Sequence, residues 1–167
     1  MRGGRPQVDV GPRERVLAWA TTVEGIVLVG TRDAFYECES DTGWSASARI
    51  PWEQVQASDW DSETSVLRLS EVGTFGEQRP EHTWTLVDPG RLLGLLRERV
   101  TASVVYQLHV PVAGRRGLRV IARRAPAGDQ PVRWLYEYDE GVDPDSPAVR
   151  EAARTALGRA RDMVGDA

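Results

Sequence analysis

The sequence predicts an α+β fold, with antiparallel strands through the first half and a smaller strand-and-helix group in the second. Three observations carry that expectation. Short apolar or alternating runs, separated by turn residues, follow one another from Val16 to Val87. The stretch Leu92–Val100 then switches to three- and four-residue spacing. Three further strand-like runs lead into a second helical stripe that opens at Pro147.

The elements of the first half are read in order. Val16–Thr22 ends near Gly25, and Ile26-Val-Leu-Val29 is a continuous apolar run suited to a strand buried on both faces. Gly30-Thr-Arg-Asp33 is turn-like, Ala34–Cys38 follows, and Asp41-Thr-Gly43 makes the next turn. Ser45–Ile50 and Glu53–Trp60 are separated by Pro51, which cannot donate in a central ladder. Asp61-Ser-Glu63 turns into Val66–Leu69, and His82–Val87 alternates so that Trp84 and Leu86 share a face. A helix is expected next, with Asp88 capping free N–H groups and Pro89 at the first helical position. Leu92, Leu93, Leu96 and Val100 form its apolar stripe, and Arg97, Glu98 and Arg99 fall off it.

The second half is shorter. Val104–Val112, Leu118–Arg123 and Val132–Tyr138 read as strands, joined by turns at Gly114-Arg-Arg-Gly117 and Pro126-Ala-Gly128. Val132, Trp134, Tyr136 and Tyr138 lie on one face by alternation. After an acidic loop from Asp139 to Asp145, Ser146 and Pro147 open a helix striped by Val149, Ala152, Ala153, Ala156, Leu157, Ala160 and Val164, with Gly165 as its C-terminal cap. The expected organisation is a disordered tail over 1–12, a first domain over 13–102, and a βββα companion over 103–167 packed on it.

Composition bounds the class. The chain has 167 residues, 41% hydrophobic and 28% charged, ordinary values for a globular protein with a sizeable core. Cys38 is the sole cysteine, so no internal disulfide can form. The first twelve residues lack the apolar run of a signal peptide and no stretch is long enough to span a bilayer, which sets a cytoplasmic expectation. All 21 basic residues are Arg, a bias that fits coding in a GC-rich genome. The net charge of −4 is uneven: residues 1–90 carry 8 Arg against 15 acidic residues, and residues 91–167 carry 13 against 10.

Gly25-Ile-Val-Leu-Val-Gly-Thr-Arg-Asp-Ala-Phe-Tyr36, then Arg49-Ile-Pro-Trp-Glu-Gln-Val55, then Val66-Leu-Arg-Leu69, with seven strands before one helix, together resemble a bacterial pleckstrin-homology-like (PH-like) domain over residues 13–102. In such domains a glycine, an apolar strand and a Thr-x-Arg hairpin precede a tyrosine-bearing strand and an Ile-Pro strand. Here Thr31-Arg32-Asp33 stands where Thr-x-x-Arg spacing is commoner. The resemblance implies an antiparallel barrel or sandwich and a binding or oligomerising role, and it supplies no catalytic residues to carry over. Residues 103–167 resemble no family.

Motif by motif, the chemistry of catalysis is missing from the sequence. Without any Lys a Walker lysine cannot occur, and G-x-G-x-x-G is absent. Cys38, His82 and His109 do not stand at metal-ligand spacing, and Asp139–Asp145 lacks the order of a calcium loop and reads as a solvated connector. No G-x-S-x-G elbow is present. No cofactor or metal is therefore expected. Cys38 reads as a small buried hydrophobe and His109 as a partly buried strand histidine.

The arginines of the second half are the suggestive group. Arg115 and Arg116 lie in a turn, Arg119 and Arg123 share a strand face, and Arg124 and Arg133 are close by. This strip suits an acidic partner or phosphates, against the plainer reading of cross-strand pairing with Glu137. Of the six tryptophans, Trp44 sits beside a turn and is the interface candidate, the others reading as core. The candidate face is thus Arg115, Arg116, Arg119, Arg123 and Trp44. Nucleic acid is disfavoured by the acidic balance and by the lack of interleaved aromatics, and a lipid surface by the lack of an apolar anchor. The expectation is a non-catalytic module binding a protein partner or itself. The alternative is a ligand-binding protein or enzyme with a pocket between the two parts, reached by His109 or Tyr136.

Overall fold

The computed structural model describes residues 4–40, 44–73, 78–126 and 130–165. The fold is α+β, with eleven strands and two α-helices among the described residues. It divides into two compact units, the first built from residues up to Ala102 and the second from Ser103 onward, apart from a short return to the first at Ala125.

In the first unit the strands are β1 (Val8–Asp9), β2 (Ala18–Thr22), β3 (Val27–Gly30), β4 (Ala34–Ser40), β5 (Trp44–Pro51), β6 (Val55–Asp61), β7 (Val66–Glu71) and β8 (Glu81–Asp88). They form one sheet in the order β1-β5-β4-β3-β2-β8-β7-β6. All pairings are antiparallel except β1 with β5. The strand expected from Glu53 starts at Val55, because Trp52–Gln54 forms a 3-10 turn after Pro51. Inside that turn Trp52 is fully buried, its indole N–H donating to the Thr31 carbonyl at 3.0 Å.

β3 is buried along its whole length because the sheet packs on both faces. Leu28 joins an inner core with Phe35, Trp52, Leu67, Leu69, Trp84 and Leu86, while Val27 and Val29 join an outer cluster with Val16, Tyr36 and Cys38. The inner core is closed by α1 (Leu92–Ser103), which contributes Leu92 and Leu96 with Leu93 and Val100 beside them. The helix comes so close that a Cβ on Gly30 would sit 2.6 Å from Leu95 Cδ2.

α1 starts later than the sequence predicts. Gly90 takes φ +50 and the Asp88 carboxylate accepts from Gly90 N at 2.9 Å, so Asp88 and Pro89 build a turn ahead of the helix rather than its first residues. Arg99, expected off the stripe, is half-buried. The segment expected as a disordered tail carries β1, and Val8 and Val10 pack on the outer cluster.

The second unit contains β9 (Val104–Ala113), β10 (Arg116–Arg123), β11 (Arg133–Tyr138) and α2 (Pro147–Val164). The strands form an antiparallel sheet in the order β11-β10-β9. Leu118 and Val120 meet Val149, Ala153, Ala156 and Ala160 of α2, with Tyr106, Leu108, Val110, Trp134, Tyr136 and Tyr138 around them. Small side chains along the stripe let α2 lie close to the sheet, and Gly165, at φ +78, ends the helix with its N–H bonded to the Arg161 carbonyl at 2.9 Å. No helix among the described residues is long and apolar enough to cross a membrane.

Candidate interaction site

The site is built on the β9–β10 hairpin. Gly117 opposes Pro111 at a register shift, and a Cβ there would lie 1.9 Å from the Val110 carbonyl oxygen, so only glycine fits. From the far side, Asp139 accepts from Gly117 N at 2.7 Å through Oδ2, and His109 Nε2 lies 2.9 Å from the same oxygen. Those two bonds hold the Asp139 carboxyl below its usual range, the His109 contact being the larger cause. Asp139 is therefore a structural tie between strands rather than part of a solvated connector. His109 lies on the more exposed side of β9, its side chain 35% exposed, and is held by that tie.

The arginine strip divides along its length. Arg116 is exposed and reaches the Glu140 carbonyl at 3.4 Å. Arg119 stands across the ladder from Glu137, Nη1 to Oε2 at 4.0 Å, and from His109 on the other side. Arg115 is exposed in the turn and makes no ion pair among the described residues. Arg123 does not belong to a surface face: it is 4% exposed and donates from Nη1 to Ser103 Oγ at 2.9 Å. Desolvation lowers its pKa. Alternation places Arg119 and Arg123 on one face correctly, but that face is only half-buried at Arg119 and becomes buried at Ile121 and Arg123. Trp44 opens β5, and its side chain lies outside the described residues.

His109 and Tyr136, either of which was expected to reach a pocket, point to opposite sides of the sheet. The register aligns His109, Arg119 and Glu137 on one face, and Leu108, Val120 and Tyr136 on the other. The sheet itself separates them, so they line no common site.

A feature the arginine pattern did not point to is the outer strand. β11 pairs only with β10 among the described residues. It turns Trp134, Tyr136 and Tyr138 to the α2 side, each half-buried, with the two tyrosine rings 6.3 Å apart. Burial raises the pKa of both phenols. The opposite face of β11 carries Arg133, Leu135 and Glu137.

Two polar constellations in the first unit are structural. Glu14, with its side chain 4% exposed, accepts from Thr31 Oγ1 at 2.6 Å and from the Tyr36 hydroxyl. That hydroxyl in turn accepts from Gly11 N at 3.0 Å and Arg49 Nε at 2.9 Å. Together they strap the N-terminal segment across the outer face of β3 and β4. On the inner side Trp84 Nε1 donates to Glu37 at 2.6 Å, and His82, stacked on the Trp84 ring, lies 2.7 Å from Glu71. Cys38 is fully buried and its thiol is pushed up to about 11, chiefly by desolvation. Among the described residues no three His, Cys, Asp or Glu side chains converge on a metal-sized space. No protein-family model matches the chain, and comparison with curated proteins returns no match.

Proposed function

We propose that this chain is a non-catalytic interaction module that binds a protein partner or a second copy of itself through the open edge of its three-stranded sheet. The observation that carries the reading is β11: a strand without an outer neighbour among the described residues, with three half-buried aromatic side chains on one face. Unpaired strand edges recruit further strands, and half-buried Trp and Tyr are the side chains that anchor interfaces. Arg115, Arg116 and Arg119 belong to the rim of this surface and steer acidic groups toward it. Arg123, being buried, lies outside the proposed face.

A PH-like build for the first unit is supported by two antiparallel meanders, β2–β5 and β6–β8, joined through β2 and β8, and by α1 closing the inner core with Leu92 and Leu96. In this reading the first unit is the frame and the second unit the contact. A cytoplasmic, bacterial setting fits a chain whose one cysteine is a buried free thiol and whose basic residues are all Arg.

The test is site-specific photo-crosslinking in the native host, since a chain without Lys offers no side chain to amine-directed reagents. A benzophenone side chain replaces Tyr138 in one strain and exposed Glu24 of the first unit in another. A discrete crosslinked species from position 138 and none from position 24 is the expected outcome. Crosslinking from 24 alone, or from neither, overturns the reading.

A further inference from the structure

We infer that the partner at this edge is a second copy of the chain, with β11 pairing antiparallel to the β11 of its partner about a two-fold axis at Leu135. The inference rests on the interaction-module reading and makes it specific. It follows from which backbone groups are free and from the order of side chains along the strand.

Asp139 N donates to the Gly117 carbonyl at 2.9 Å, and Gly117 opposes Asp139 in the register that pairs Leu118 with Tyr138. Antiparallel ladders alternate hydrogen-bonded and non-bonded pairs. Arg133, Leu135 and Glu137 therefore turn their amides toward β10, and Trp134 and Tyr136 present theirs to the outer edge. An antiparallel copy centred on Leu135 sets Trp134 against the partner's Tyr136, and Tyr136 against the partner's Trp134. All four residues carry outward N–H and C=O groups, so each pair exchanges both of its hydrogen bonds.

The side chains agree with this register on both faces. On one face Trp134 meets the partner's Tyr136, an aromatic cross-strand pair, twice over by symmetry. On the other, Arg133 meets the partner's Glu137, and Glu137 the partner's Arg133, at non-bonded positions where side chains approach closest. Within its own chain Arg133 faces Arg123 across the ladder and makes no ion pair among the described residues. Its only same-face neighbour in register is thus a like charge, and the partner's carboxylate supplies the opposite one. Within its own chain Glu137 has the 4.0 Å contact to Arg119 and an electrostatic interaction with buried Arg123, and its side chain is still 39% exposed. A strand reading Arg-Trp-Leu-Tyr-Glu is complementary to its own reverse in charge and in aromatic content, as an isologous contact requires.

Sedimentation velocity of the full chain over a concentration series tests the pairing. The wild type is expected to move from 18.5 kDa toward twice that mass as concentration rises. Arg133→Glu and Glu137→Arg each convert two attractive pairs into two repulsive ones and should weaken the dimer at least about tenfold. The double variant R133E/E137R re-forms both pairs and should return the dissociation constant to within about threefold of wild type. Circular dichroism of each variant confirms the fold, and rescue by the swap cannot come from a misfolded chain.

A wild type that stays monomeric at every concentration overturns the self-pairing, as does a dimer indifferent to the single reversals. A swap that fails to rescue overturns the register. A monomer that still crosslinks through position 138 to a different protein overturns self-pairing and leaves the interaction-module reading standing. A monomer without that crosslink removes both.

Discussion

Tyr36→Phe removes one oxygen and should cost the first unit a large share of its stability. The hydroxyl donates to the carboxylate of Glu14 and accepts from Gly11 N at 3.0 Å and Arg49 Nε at 2.9 Å. Tyr36 is 2% exposed, so water does not replace these partners freely. A hydrogen bond to a charged group contributes about 1.5–3 kcal/mol and a neutral one about 0.5–1.5 kcal/mol. Arg49 is well exposed and its share is screened, which leaves a loss of roughly 2–4 kcal/mol. With a urea m-value of about 1–3 kcal/mol per molar, the midpoint falls by about 1–2 M. Tryptophan fluorescence reads this unit selectively, since Trp19, Trp44, Trp52, Trp60 and Trp84 precede Ala102 and only Trp134 follows. A loss under about 0.5 kcal/mol would refute the claim that this network straps the N-terminal segment to the sheet.

The same phenol contributes to the alkaline limit. Burial first, and the Glu14 hydrogen bond second, raise the Tyr36 pKa above its ordinary value. The unfolded phenol therefore loses its proton before the folded one. Its stabilising contribution is complete below the unfolded pKa, near 10 by ordinary tyrosine behaviour, and disappears as pH climbs through the folded pKa. Above about pH 10 the unfolding midpoint should fall more steeply in the wild type than in Tyr36→Phe. The Cys38 thiol, raised from 9.0 to about 11, and the raised Tyr136 and Tyr138 phenols add losses of the same sign that both proteins share, the thiol's beginning at lower pH.

Gly117→Ala drives a methyl group into the Val110 carbonyl and should destabilise the second unit by on the order of 3 kcal/mol, read as lost circular dichroism on mild heating; an unchanged melting curve would contradict the close approach. Cys38 should resist alkylation by iodoacetamide in native buffer and react fully in urea, because its thiol is buried and un-ionised near neutrality; rapid labelling of native protein would show the outer cluster to be open. Asp139→Asn weakens the tie from Gly117 and His109 and should speed amide exchange at Gly117; an unaltered rate there would show that the tie does not restrain the hairpin.

Local periodicity made much of the fold legible. The unbroken Ile26–Val29 run marks a strand packed on both faces, the alternation in His82–Val87 puts Trp84 and Leu86 inside, and the Ala-rich stripe of α2 is the surface that meets the sheet. What stayed hidden was set by contacts distant in sequence. Glu14 looks like any surface carboxylate until the chain brings Tyr36, Thr31 and Arg49 around it. Alternation assigns a face but not its depth, which is why Arg123 reads with Arg119 and yet is buried. Asp139 opens an acidic run that looks solvated, and its role appears only when Gly117 and His109 lie across from it. The aromatic face of β11 was visible as a pattern, whereas its free edge depends on strand order, which no local signal encodes.

Residue-resolved amide exchange along β11, compared at low and high protein concentration, is the most direct test of the open edge. Arg133, Leu135 and Glu137 should be protected throughout, because their amides face β10. Trp134 and Tyr136 should exchange rapidly when the protein is dilute and become protected as it associates. Protection of those two amides that does not change with concentration, in a chain that also captures no partner, would contradict the claim that this strand edge is the binding surface.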